Sequence, residues 1–129
     1  MEPFNKEKRT RERYNILLGL RYQILKEGVV VSEVRDASTY DVSMSGLSFN
    51  TSAALSINTT LKLELFLPHR LDPLLVMSKV ARIEQLPDET GYRVGVAFSE
   101  MRDIDRETVL KCLRNLDLFD LLSTVVKGG

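Results

Sequence analysis

Hydrophobic and polar positions alternate along most of this chain, and the breaks in the alternation divide it into strands. Ile16, Leu18, Leu20, Tyr22 and Ile24 interleave with Leu17, Gly19, Arg21 and Gln23, the two-residue period of a strand with one buried face. Lys26-Glu27-Gly28 supplies a turn. The β-branched run Val29-Val30-Val31 continues through Val34 toward Tyr40 and Val42, which predicts a second long strand. Ser43-Met44-Ser45-Gly46 interrupts it, and Leu47 and Phe49 mark a short third strand before the Ser/Thr/Asn-rich stretch from Asn50 to Thr60. Leu61, Leu63, Leu65 and Leu67 form the buried side of a fourth strand that stops at Pro68. Leu75, Met77, Lys79, Ala81 and Ile83 mark one face of a fifth, and Pro87-Asp88-Glu89-Thr90-Gly91 closes a hairpin. In the sixth strand Tyr92, Val94, Val96 and Phe98 alternate with an outer face unusually small at Gly95 and Ala97, where something can pack closely.

Beyond Met101 the period changes. Ile104, Val109, Leu113 and Leu116 recur at helical spacing, with Asp103 as a candidate cap and Asp105 and Glu107 near the positive end of the helix dipole. Leu118, Phe119, Leu121 and Leu122 extend this helix or begin another. Before the first strand the chain is polar and charged, without either period. The pattern therefore predicts an all-β domain with a terminal α element, a six-stranded antiparallel barrel plus a C-terminal helix. The expected divisions are a flexible Arg-rich arm over 1–14, the barrel over 15–102 and a helical segment over 103–127, all in one domain.

Composition narrows what this barrel does. Lys plus Arg and Asp plus Glu number 18 each, so no general basic excess holds a long polyanion, and any anion site is local. Few exposed aromatics are available to stack bases, so neither DNA nor RNA is expected as a partner. The single cysteine, Cys112, excludes an internal disulfide and fits a reducing compartment, while the lack of a long apolar run argues against membrane insertion. A cytoplasmic location is the expectation.

Two constellations carry chemistry. Lys8-Arg9-Thr10-Arg11-Glu12-Arg13 places four cations in six residues just before the first strand. A guanidinium fork bonds phosphate oxygens in pairs, grips the O6/N7 edge of guanine, and lies flat on a purine. Asp41-Val42-Ser43-Met44-Ser45-Gly46 sits where a strand gives way to a turn. In extended backbone Asp41 and Ser43 point to one side, and Gly46 lets the chain bend or approach closely. A carboxylate so placed can accept the N–H donors of guanine. The same hexapeptide also fits a turn that satisfies only its own backbone.

The Arg-x-x-x-Arg spacing of Arg9 and Arg13, followed about thirty residues on by Asp-x-Ser-x-x-Gly, resembles the PilZ family of bacterial cyclic di-GMP receptors. The resemblance extends through the strands, the segment from Gly91 to Phe98 and the terminal helix. It implies a PilZ-type barrel with an arm that folds over the bound dinucleotide. It also implies that Arg9 and Arg13 contact phosphate and guanine, with Asp41, Ser43 and Gly46 as the opposing wall; Lys8, Arg11 and Gly95 are further candidates. Glu12 stands where many members have proline, which predicts a less rigid arm and a higher ordering cost.

The expected function is a non-enzymatic receptor or adaptor that binds cyclic di-GMP, orders its arm and signals to an unknown downstream protein. The alternative is a PilZ-like interaction module that does not bind nucleotide. No cofactor or metal is expected. His69 and Cys112 lack the partners that would make a nucleophile, base or metal site.

Overall fold

The computed structural model describes residues 13–68 and 70–128, with side chains described as far as residue 115. Among the described residues seven strands precede one helix: β1 (Gly19–Lys26), β2 (Val29–Val30), β3 (Arg35–Val42), β4 (Gly46–Thr51), β5 (Thr60–Leu65), β6 (Leu74–Gln85), β7 (Tyr92–Glu100) and α1 (Asp103–Gly128). All neighbouring strands are antiparallel, in the order β2-β1-β3-β4-β7-β6-β5, and β1 also pairs with β5. That last pairing closes β1, β3, β4, β7, β6 and β5 into a six-stranded barrel. The two-residue β2 is an extra strand, lying on the edge of β1 that β3 does not reach.

The strands that close the barrel turn most of their branched and aromatic side chains inward, in keeping with the alternation. Leu20 and Tyr22 of β1, Leu47 and Phe49 of β4, Leu61, Leu63 and Leu65 of β5, and Val94 and Val96 of β7 share one buried cluster. Tyr22 and Phe49 pack with ring centroids 5.1 Å apart, and the Tyr22 hydroxyl reaches Thr51 Oγ1 at 2.7 Å, so the buried phenol is satisfied.

The long strand expected from Val29 to Val42 is instead two. Glu27 and Gly28, both with positive φ, form a two-residue hairpin turn between Lys26 and Val29. Ser32 Oγ then accepts a hydrogen bond from the Ile24 amide, and the chain leaves the edge of β1 before β3 begins. Val29, Val31 and Val34 are consequently exposed. β-branching identified extended backbone here but carried no information about burial.

The face expected for the fifth strand is also corrected. Leu74, Val76, Ser78 and Val80 of β6 point inward, whereas Leu75, Lys79 and Ala81 are exposed. A bulge between Val80 and Arg82 then inserts one residue, so Ile83 returns to the core on the opposite parity. In α1 Val109 and Leu113 are fully buried against the barrel, but Ile104 is exposed on the first turn. The Arg102 carbonyl accepts the amides of Asp105 and Arg106, which makes Arg102 the capping residue and puts Asp103 in the first turn.

Candidate functional site

The candidate site lies on the outer face of β3, β4, β7 and β6. Register sets Asp41 opposite Ser48, Ser48 opposite Gly95, and Gly95 opposite Arg82. These four residues form one row across four strands on the outer face of the barrel, where Gly95 presents only backbone. The adjoining row holds Gly46 opposite Ala97. The centre of the face is therefore a shelf of small side chains, and its ends are charged.

Arg13 reaches this face because Tyr14 pairs with Val42 in an isolated antiparallel bridge, with both amide-to-carbonyl bonds made, at 2.8 and 2.9 Å. The bridge sets the neighbouring Arg13 beside Ser43. Arg13 Nη2 donates to Asp41 Oδ1 at 3.0 Å, and Nη1 lies 3.5 Å from Ser43 Oγ. Asp41 Oδ1 also accepts from Ser48 Oγ at 2.7 Å. Ser48, although on the outer face, is fully buried beneath this cluster.

Burial is the largest single influence on the Asp41 carboxyl and pushes its pKa up. The hydrogen bonds from Arg13 and Ser48, with the positive charges of Arg13 and Arg82, outweigh it and hold the carboxyl below its ordinary 3.8. A lowered folded-state pKa stabilises the fold above the unfolded value, and that contribution disappears as pH falls through the folded one. The stability difference between the wild type and Asp41→Asn is therefore expected to be constant near neutrality and to shrink below about pH 4, as read by chemical denaturation across pH.

The turn from Ser43 to Gly46 is held by its own atoms. The Ser43 amide donates to the Gly46 carbonyl at 2.8 Å, and Ser43 Oγ donates to the same carbonyl and accepts from the Ser45 amide. Ser43 is fully buried, so its hydroxyl shapes the turn as well as facing Arg13. Gly46 is required for close approach: a Cβ there would overlap the Val96 carbonyl oxygen of β7. From the other side Arg106 Nη1 of α1 donates to the Met44 carbonyl at 3.2 Å, tying the helix to the turn.

Of the residues singled out in the sequence, Arg13, Asp41, Ser43 and Gly46 are brought together here, and Gly95 lies in the same row as Asp41. Lys8, Arg9, Arg11 and His69 lie outside the described residues. Two features escaped the sequence reading. Arg93 stacks on Tyr40, its guanidinium carbon 3.6 Å from the ring centroid, and Nε donates to Asn50 Oδ1. Arg82 lies over Gly95, its Nη2 3.3 Å from where a Cβ would stand. Both depend on cross-strand register, and the second also depends on the bulge, neither of which alternation reveals.

A cavity of about 180 Å³ opens on the shelf, lined by Arg13, Gly46, Arg82, Gly95 and Ala97 among others. A larger groove of about 770 Å³ runs between β6 and the start of α1, where Lys62, Arg70 and Arg102 are mixed with Glu100 and Asp105. It contains none of the motif residues, and its charges largely cancel. The smaller cavity is lined by Arg13 and Gly46 of the two motifs. Among the described residues no group of three His, Cys, Asp or Glu side chains is placed to hold a metal, and no helix is long and apolar enough to cross a membrane.

A closed six-stranded barrel with a terminal helix and an Arg–Asp–Ser cluster on its outer wall defines a small β-barrel module with a polar surface site. The PilZ domain profile matches residues 7–115, and the chain belongs to that family. Solved structures with the same fold include the PilZ domain of YcgR from Escherichia coli with c-di-GMP, at 10% identity and a TM-score of 0.66, over 88% of this chain and 94% of that one. MrkH from K. pneumonia matches at 21% identity and a TM-score of 0.68, over 88% of this chain and 51% of that one. The Bacillus subtilis inhibitor of motility MotI/DgrA matches at 18% identity and a TM-score of 0.65, over 84% and 49%. The chain thus spans about half the length of MotI/DgrA and MrkH. A search of curated protein sequences returned no significant match.

Proposed function

We propose that this chain is a cyclic di-GMP receptor that acts as an adaptor, with no catalytic step of its own. The observation that carries the reading is the convergence of Arg13, Asp41 and Ser43, which are 28 and 30 residues apart in pairs with Arg13 and meet at one edge of a small-residue shelf. A guanidinium there bonds phosphate or the O6/N7 edge of guanine, and a carboxylate accepts guanine N–H donors. The YcgR and MrkH structures solved with c-di-GMP support this choice of ligand.

The cavity of about 180 Å³ is smaller than the ~300–1,000 Å³ typical of ligand pockets, so it serves as one wall of the site. The arm carrying Lys8, Arg9 and Arg11 supplies the other wall, folding across the shelf when the dinucleotide arrives. The rearranged arm is the signal that a downstream protein reads. The contact from Arg106 to the Met44 carbonyl offers a second route, since movement of the turn is felt at α1.

Titration calorimetry of the full chain with cyclic di-GMP, with GTP for comparison, tests this. Saturable binding of cyclic di-GMP alone is expected; equal heats for the two, or none, would overturn the reading. One observation favours the alternative of an interaction module without nucleotide: Arg13, Asp41 and Ser43 satisfy one another within the protein. On that alternative no cyclic dinucleotide binds, and Arg13→Ala changes stability alone.

A further inference from the structure

The cluster at the β3 edge of the shelf does not supply the charge that a cyclic dinucleotide needs. Arg13 is matched by Asp41 at 3.0 Å, so the pair is close to neutral, whereas the ligand carries two phosphate charges. The arm cations proposed above approach from over the shelf, and the shelf itself offers one more. Among the described residues lining its cavity, the only other cationic side chain is Arg82.

Three features place Arg82 there. The bulge between Val80 and Arg82 leaves both Ala81 and Arg82 on the outside, so the strand turns a long cation onto a face that strict alternation would have given to its neighbour. Gly95, directly opposite, has no side chain, and the guanidinium lies across it toward the centre of the row. Its partner Glu84 is 3.7 Å away, and the two side chains are 59% and 61% exposed, so this ion pair holds Arg82 only weakly and a phosphate can displace it. The row from Asp41 to Arg82 crosses three strand spacings, about 14 Å, and the reach of Arg82 over Gly95 narrows that span.

We propose that Arg82 is a further ligand contact of this site, closing the shelf from the β6 side and binding a phosphate or guanine edge of the dinucleotide opposite Arg13. The proposal rests on the cyclic di-GMP reading above. It also assigns a role to the bare surface at Gly95 and Ala97: the floor is kept low so that a planar base and a guanidinium can share it. Arg82 recognises by its fork, so a lysine at this position keeps the charge but loses the paired hydrogen bonds.

The test is titration calorimetry of cyclic di-GMP into the wild type, Arg82→Ala, Arg82→Lys and Arg21→Ala. Arg21 is an exposed cation on β1, paired with Asp36 and remote from the shelf, so it controls for net charge. Arg82→Ala is expected to weaken binding roughly tenfold or more, with Arg82→Lys intermediate and Arg21→Ala unchanged. Thermal unfolding should change little in all three, because both arginine side chains are more than half exposed and make only surface contacts. If the wild type binds and Arg82→Ala binds within about twofold of it, the proposal falls while the receptor reading stands. Equal losses in Arg82→Ala and Arg21→Ala would reduce the effect to overall charge and also overturn it. A wild type that does not bind removes the reading and the proposal together.

Discussion

Arg13→Ala is expected to weaken cyclic di-GMP binding by about thirtyfold or more, roughly 2 kcal/mol, the scale of an interface hot spot. The loss has two parts. The substitution removes a cation whose fork is proposed to serve phosphate or guanine, and it leaves Asp41, with only 16% of its side chain exposed, as a carboxylate without its ion-pair partner facing a dianion. Asp41→Ala tests the other member of the same pair and is expected to cost about as much, because it removes the proposed acceptor for guanine N–H groups. Calorimetry reads both. The two changes should be strongly non-additive, since Arg13 and Asp41 are in direct contact and each alters the other's charge environment. Undiminished affinity in both variants would mean that the ligand binds elsewhere.

Gly46→Ala is expected to destabilise the fold by about 3 kcal/mol, the upper range for forcing volume into a packed site. The obstacle is backbone. The added methyl would overlap the Val96 carbonyl oxygen and crowd the Ala97 Cα, and neither can swing aside as a flexible side chain could. Relief requires β4 to move away from β7 where the two are paired from Gly46 to Thr51, breaking the row that holds Ser48 beneath Asp41. Denaturant melts measure the loss. Binding should weaken in the same variant, because the turn from Ser43 to Gly46 would shift with the strand. A melt like that of the wild type would show that β4 and β7 are less closely apposed than described.

Much of this architecture was legible in the alternation. The inward faces of β4, β5 and β7 follow directly from Leu47 and Phe49, from the leucines at 61, 63 and 65, and from Val94 and Val96. Closure of the barrel by β1 against β5 was expected only as a consequence of strand number and spacing. Where reading failed, a local device had overridden periodicity. The Glu27-Gly28 turn and the Ser32 side chain took Val29 to Val31 out to a solvent-exposed hairpin, so β-branched residues lie where no core covers them. The bulge at Val80 and Arg82 let Ile83 return to the core, which made the wrong face of β6 look continuous.

The candidate site divides in the same way. Arg13, Asp41, Ser43 and Gly46 are legible because the Arg-x-x-x-Arg and Asp-x-Ser-x-x-Gly motifs together resemble the PilZ family, and the Tyr14 to Val42 bridge supplies the contact that the motifs alone leave open. Ser43 is a mixed case: its hydroxyl faces Arg13 but is also committed to the turn, so both readings of the hexapeptide describe the same atoms. Arg82 and the pairing of Arg93 with Tyr40 were invisible, because they are neighbours only across strands whose register is a tertiary property.

The most direct test of the clasp is a backbone amide chemical-shift titration of the full chain with cyclic di-GMP, run beside cyclic di-AMP, whose adenines lack the paired O6/N7 acceptors. The expected result is that cyclic di-GMP alone perturbs Arg13, the segment from Asp41 to Gly46, and Gly95, in one saturable process. Shifts confined to the groove between β6 and α1, or equal responses to the two dinucleotides, would contradict it.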